Sequence, residues 1–196
     1  WKEQRSVTVS ILRAFGMGTN VLAEKVNDER ILFTEQLKEL KGKPTDIQLL
    51  IYVSMSNIIC SILIGQRFEY DDNEFQILMR ALRDMVRYQQ TVSLVNFLPW
   101  LQYLPGDFFN AKKIATCSQQ LLSILATFLE KKRRDVSDVT DIDNFIDAYI
   151  IEKNKLIKAG VPTYLDDLSL KKLMLDLFEA GTETTSTTIY WCVLYM

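Results

Sequence analysis

The sequence predicts a mainly α protein, on two observations. Its long segments carry apolar residues at helical spacing, and no series of short alternating strands lies between them. Only 7 Gly and 4 Pro occur in 196 residues, which argues against linkers and low-complexity tracts. A chain of this length folding as one large domain buries about 70% of its unfolded surface, enough for a true core.

A first helix is expected over residues 1–15, ending where Gly16-Met17-Gly18-Thr19-Asn20 supplies turn residues. A second, over 21–40, stops before Lys41-Gly42-Lys43-Pro44. A third, over 47–63, is apolar almost all round (Ile58, Ile59, Ile62 and Leu63, with Asn57 inside) and should be a central, buried helix. A fourth, over 72–91, starts among Asp and Asn residues suited to capping. The stretch 96–106, with Phe97, Leu98, Trp100 and Tyr103, is too apolar for an ordinary solvent loop. Either it tucks onto the core, or it dips into a membrane interface, where Trp and Tyr prefer to lie. An amphipathic helix follows over 108–134; its Lys131-Lys132-Arg133-Arg134 reads as a solvated end that offsets the helix dipole. A shorter helix spans 143–157, and Lys158-Ala159-Gly160-Val161-Pro162-Thr163 breaks the pattern. The last helix begins at an N-cap among Asp166 to Ser169 and continues to the end of the sequence. Neither end carries a cap or turn signal, so both ends are read as artificial, and there is no apolar run of membrane-spanning length.

Composition excludes several kinds of chemistry. Hydrophobic residues make up 48% and charged residues 24%, and a net charge of −2 leaves no basic excess for a phosphate backbone, so nucleic acid is not an expected partner. The sequence has no His, which removes triads and mixed His/Cys zinc sites together. Cys60, Cys117 and Cys192 lie far apart, form no CxxC and sit among apolar residues, so all three are read as small core hydrophobes in a reducing compartment.

The segment from Asp176 to Thr188, Asp-Leu-Phe-Glu-Ala-Gly-Thr-Glu-Thr-Thr-Ser-Thr-Thr, is a poor sequence for a plain structural helix. Gly costs up to about 1 kcal/mol in a helix interior, and β-branched Thr lowers propensity further. On a helical repeat Leu173, Leu177, Ala180 or Gly181, and Thr184 share one face, where small residues would let a helix or a flat cofactor approach the backbone. The residues leave other readings open: a β-strand, close helix packing through Ala180 and Gly181, or threonines bonded back to carbonyls one turn earlier.

Ala180-Gly181-Thr182-Glu183-Thr184-Thr185 resembles the oxygen-activation motif of the cytochrome P-450 superfamily, and the string from Asp176 to Thr188 is similar to the family-2 type of its microsomal members. Agreement continues in order through Trp1-Lys2-Glu3-Gln4-Arg5, Phe15-Gly16-Met17-Gly18, Ser56-Asn57-Ile58-Ile59-Cys60-Ser61, Gly65-Gln66-Arg67-Phe68, Pro99-Trp100-Leu101 and Asp143-Asn144-Phe145-Ile146-Asp147-Ala148-Tyr149. The resemblance implies the central helical part of the cytochrome P-450 fold, from its C helix to its I helix, as a single partial domain over 1–196, incomplete at both ends.

It also implies a haem-thiolate monooxygenase that inserts one oxygen atom into an apolar substrate such as a fatty acid, steroid or xenobiotic. Haem b is the implied cofactor, and electrons come from NADPH through a flavoprotein reductase, NADPH-cytochrome P-450 reductase. Trp1 and Arg5 match a Trp-x-x-x-Arg pair that binds a haem propionate, and Ala180 and Gly181 match positions close to the porphyrin, where a bulge in the helix leaves room for oxygen and water. Thr184 is the implied hydroxyl that holds oxygen and a water, with Glu183 relaying protons; Asp176, Glu179 and Ala180 match substrate-lining positions. Lys2 and Arg13 are implied reductase contacts, the Phe97–Tyr103 loop a membrane contact, and the endoplasmic reticulum membrane, cytoplasmic face, the location. No metal ligand is assigned: the iron-ligating cysteine is expected beyond Met196, so the chain alone is expected to be inactive. Ser6, where the family usually has Arg, and Asp107-Phe108, where a His usually follows the Pro-Gly, depart from the pattern. Two rival classes are a haem-thiolate isomerase or lyase acting on peroxides without reductase, and a non-catalytic helical fragment.

Overall fold

Among the residues that the computed structural model describes, 1–14, 20–135, 142 and 144–196, seven α-helices and one 3-10 turn follow one another with no strand. The helices are α1 (Lys2–Ala14), α2 (Asn20–Glu39), α3 (Gln48–Leu63), α4 (Asn73–Phe97), α5 (Ala111–Asp135), α6 (Phe145–Lys158) and α7 (Asp167–Leu194). The turn expected at 16–20 and the expected helix start at 143 lie outside the described residues, Asn20 apart.

Contacts group the chain into two compact units, Trp1–Phe68 with Phe128–Met196, and Glu69–Thr127. In the first, α3 is central as expected, touching α2, α6 and α7. It buries Ile51, Tyr52, Ile58, Cys60 and Leu63, and each large apolar side chain so buried contributes about 1.5–3 kcal/mol. The helix ends at Gly65, whose φ of +77° favours glycine, and a Cβ there would meet Asn144 Nδ2 at 3.0 Å. Asn57, buried in α3, closes the following turn with its whole amide: Nδ2 donates to Phe68 O at 2.9 Å and Oδ1 accepts from Phe68 N at 3.0 Å. Nearby, Arg67 reaches the buried carboxylate of Glu29 on α2 at 3.0 Å.

Helix boundaries follow local chemistry. Asp72, Asn144 and Asp166 each accept a backbone N–H three residues on, from Phe75, Asp147 and Ser169, which marks the starts of α4, α6 and α7. In the second unit α4 extends past the expected stop at 91, to Phe97; Pro99, which disfavours helical backbone at Leu98, is what ends it. The 3-10 turn Pro99–Tyr103 follows. α5 starts at Ala111 rather than 108, because Asn110 has φ +56° and Asp107 caps the backbone N–H groups of Lys112 and Lys113.

Three expectations are settled by burial. The apolar stretch does not tuck onto the core, since Phe97, Trp100 and Tyr103 are 82%, 59% and 81% exposed. Cys60 and Cys117 are buried as expected, but Cys192 is exposed. In the basic cluster, Lys132 is not a free solvated cation: it lies 3.8 Å from the buried carboxylate of Asp147 on α6. The side chains of Arg133 and Arg134 lie outside the described residues.

Candidate functional site

The candidate site is built on α7. Its Asp166 cap accepts from Ser169 N at 2.6 Å, and that backbone N–H holds the Asp166 carboxyl below the usual carboxylate range. From there α7 is α-helical without interruption to Leu194, so the Thr-rich segment is not a strand, and the bulge expected at 180–185 is not seen. The hydroxyls turn inward on the helix: Thr184 Oγ1 donates to Ala180 O at 2.6 Å, Thr188 Oγ1 to Thr184 O at 2.8 Å, and Ser186 Oγ to Glu183 O at 3.1 Å. These back-bonds satisfy the hydroxyls within the helix without making the segment a better helix former.

Two rows at four-residue steps divide the helix. Leu170, Met174, Phe178, Thr182 and Ser186 are buried, whereas Lys172, Asp176, Ala180, Thr184 and Thr188 are exposed. A two-residue offset turns about 200° around a helix, so the rows lie on opposite sides. Three expected site residues, Asp176, Ala180 and Thr184, thus share one open face. Gly181 stands off it, half-buried beside α3, where an added Cβ would meet Ile59 Cδ1 at 2.6 Å. Its small size serves helix packing here, and since Ile59 Cδ1 ends a flexible side chain, the fit leaves room to adjust.

The open face continues at its N-terminal end into a groove of about 440 Å³ between α1 and α7. Trp1, Arg5 and Val9 line one wall and Leu173, Asp176 and Leu177 the other. Arg5 places its guanidinium carbon 5.4 Å from the centre of the Trp1 ring, a cation–π contact of about 0.5–1 kcal/mol at an exposed site. The ring therefore orients the guanidinium fork at the mouth of the groove. A cation at the edge of an apolar groove, with a row of small residues leading on, suits a flat apolar body carrying carboxylates at one edge. That donor set fits haem and its propionates.

Glu183 and Glu179 are not on the open row. Both are half-buried, and Glu183, one residue before Thr184, points about 100° away around the helix; its Oε1 accepts from Thr187 Oγ1 at 3.5 Å. The hydroxyl of Thr184 gives its hydrogen to a carbonyl, so what it presents outward is lone pairs, ready to accept from a proton-bearing group.

Two features escaped the sequence reading. Thr182 is fully buried, and its hydroxyl has no hydrogen-bond partner among the described residues. The first turn of α1 is held from the side: Glu3 accepts from Thr163 Oγ1 at 2.7 Å and Tyr164 N at 2.9 Å, while Gln4 donates to Tyr164 O at 2.7 Å and accepts from Tyr149 Oη at 3.0 Å. Partners separated by 145 to 161 residues leave no local pattern to read.

Comparison with known proteins places the whole chain in one family. Residues 1–196 match the family model described as cytochrome P-450. The chain is 42% identical to cytochrome P-450 2J2 of Homo sapiens, 36% identical to cytochrome P-450 2J3 of Rattus norvegicus and 34% identical to cytochrome P-450 2C29 of Mus musculus. Each alignment covers 100% of this chain, which spans 39%, 39% and 40% of those relatives' lengths.

Proposed function

The chain belongs to the cytochrome P-450 family, and from that premise we propose that it forms the helical centre of a haem-dependent monooxygenase that inserts one atom of dioxygen into an apolar organic substrate. Both compact units are read as parts of one cytochrome P-450 domain. The observation that carries the reading is the open row Asp176, Ala180 and Thr184, continuous with the groove edged by Trp1 and Arg5.

Haem, when bound, supplies oxygen binding and one-electron chemistry. The chain's own residues do the rest. Arg5, steadied on Trp1, holds a propionate; Ala180 keeps the face low enough for a flat ring; Asp176 meets substrate at the near end. Gly181, packed beside Ile59, keeps α7 close to α3, and its proposed part in cofactor binding is to leave the backbone next to Ala180 without a side chain. Thr184 accepts a hydrogen bond from water or oxygen-bound hydrogen on the open face. Glu183 delivers protons to that position through water, because adjacent helical side chains do not face one another. Glu179, half-buried, contributes to the pocket at its flank.

None of the three cysteines suits the iron. None of them lies in the glycine-rich setting that the family's iron-ligating cysteine has. The ligand is therefore assigned to the rest of the protein, and this chain alone is not expected to turn over.

Electrons are proposed to come from NADPH through a flavoprotein reductase. Lys2 and Arg13, exposed and about three turns apart on nearly one face of α1, are its proposed contacts. Among the described residues no helix is long and apolar enough to cross a membrane. The exposed Phe97–Tyr103 patch is the proposed contact with the cytoplasmic face of the endoplasmic reticulum membrane.

The test is oxygen and NADPH consumption by the complete protein with reductase and an apolar substrate. Substrate-dependent uptake of both, with an oxygenated product, is expected. Turnover of a hydroperoxide without reductant, and none with NADPH, would instead make it an isomerase or lyase.

A further inference from the structure

We infer that Gln4 and Tyr149 are positioning residues for the cofactor carboxylate at Arg5, an inference that rests on the function proposed above. Arg5 closes the first turn of α1, its N–H donating to Trp1 O at 2.9 Å, and a helix end frays readily. It is exposed, and its ring contact is with Trp1, which is 84% exposed itself. Neither residue can hold that turn against the rest of the fold.

Gln4, between them, can. Both ends of its amide are engaged, Nε2 with Tyr164 O at 2.7 Å and Oε1 with Tyr149 Oη at 3.0 Å. Tyr149 is fully buried in α6, and burial, the largest cause, raises its phenol further above neutral pH, so the hydroxyl stays a donor. Glu3 adds a second tie, to Thr163 and Tyr164.

The α1 wall of the groove is thus tied through Gln4 to a buried hydroxyl of α6, and through Glu3 and Gln4 to residues 163–164, just before the cap of α7. A guanidinium fork binds a carboxylate best when both partners are held in plane, so slack in this turn weakens the bond at Arg5 without touching the cofactor.

The test is haem release from the complete, haem-loaded enzyme to an excess of a haem-scavenging apoprotein. Tyr149→Phe and, independently, Gln4→Leu are each made in the parent and in an Arg5→Leu background. Tyr149→Phe, which loses one hydrogen bond, should release haem about fivefold faster in the parent, and Gln4→Leu, which loses two, at least as fast; neither should be faster than its control once Arg5 is gone. Equal acceleration in both backgrounds would reduce the pair to a structural role, and no acceleration in the parent would also overturn the inference. If Arg5→Leu alone leaves release unchanged, the assignment of Arg5 to a propionate fails, and the inference with it.

Discussion

The hydroxyl of Thr182 lies buried on the inner row of α7 between Phe178 and Ser186, without a hydrogen-bond partner among the described residues, whereas the threonines on the outer row are bonded back along the helix. A buried hydroxyl left unpaired costs about 1–3 kcal/mol, and Val has nearly the same shape. Thr182→Val should therefore raise stability by about 1 kcal/mol in denaturant unfolding of the complete protein; a loss of similar size would mean that the hydroxyl is paired after all. The sequence could place all the small and hydroxyl residues of this segment on a helix, but not tell which way each faced. Its expected face grouped Ala180 with Gly181, and burial separates them: Ala180 is open, and Gly181 lies against Ile59. That separation depends on where α3 packs, which no local spacing encodes.

At the scale of elements, apolar period and punctuation located every helix, because caps such as Asp72 and Asp166 act within a few residues. The errors were at ends set by backbone geometry, as where α4 runs on to the proline and α5 begins only after the left-handed Asn110. The aromatic turn at Pro99–Tyr103 shows a different limit. Its composition allowed two environments, and exposure leaves the membrane as the proposed one. Changing Phe97, Leu98 and Trp100 together to Ser in the complete enzyme should lower partitioning onto microsomal lipid by at least about tenfold, given about 1.5–3 kcal/mol for each large apolar side chain buried. Unchanged partitioning would remove this turn from the membrane contact.

For the molecule as a whole, the long-range ties decide what the site can do, and they were the least legible part of the sequence. Glu3 shows how such a tie responds to pH. The Thr163 hydroxyl, and then the Tyr164 N–H, hold its carboxyl below the ordinary value of 4.5. A depressed folded value means that this stability is present above about pH 4.5 and is lost as pH falls through the lower, folded value. Glu3→Gln should accordingly leave the protein less stable at neutral pH and flatten the acid limb of its unfolding curve; an unchanged limb would show that the contact contributes nothing in solution. The account as a whole stands on the open row of α7 and on the lone pairs that Thr184 presents there. Its most direct test is Thr184→Val in the complete enzyme, reading product and hydrogen peroxide formed per NADPH consumed. The fold should be unaffected, since exposed substitutions change stability by no more than about 0.5 kcal/mol. Product per NADPH should fall by about tenfold or more, less than the roughly hundredfold at which loss of a proton-handling group usually begins, with peroxide rising to match. Product and peroxide yields equal to the parent's would contradict the account.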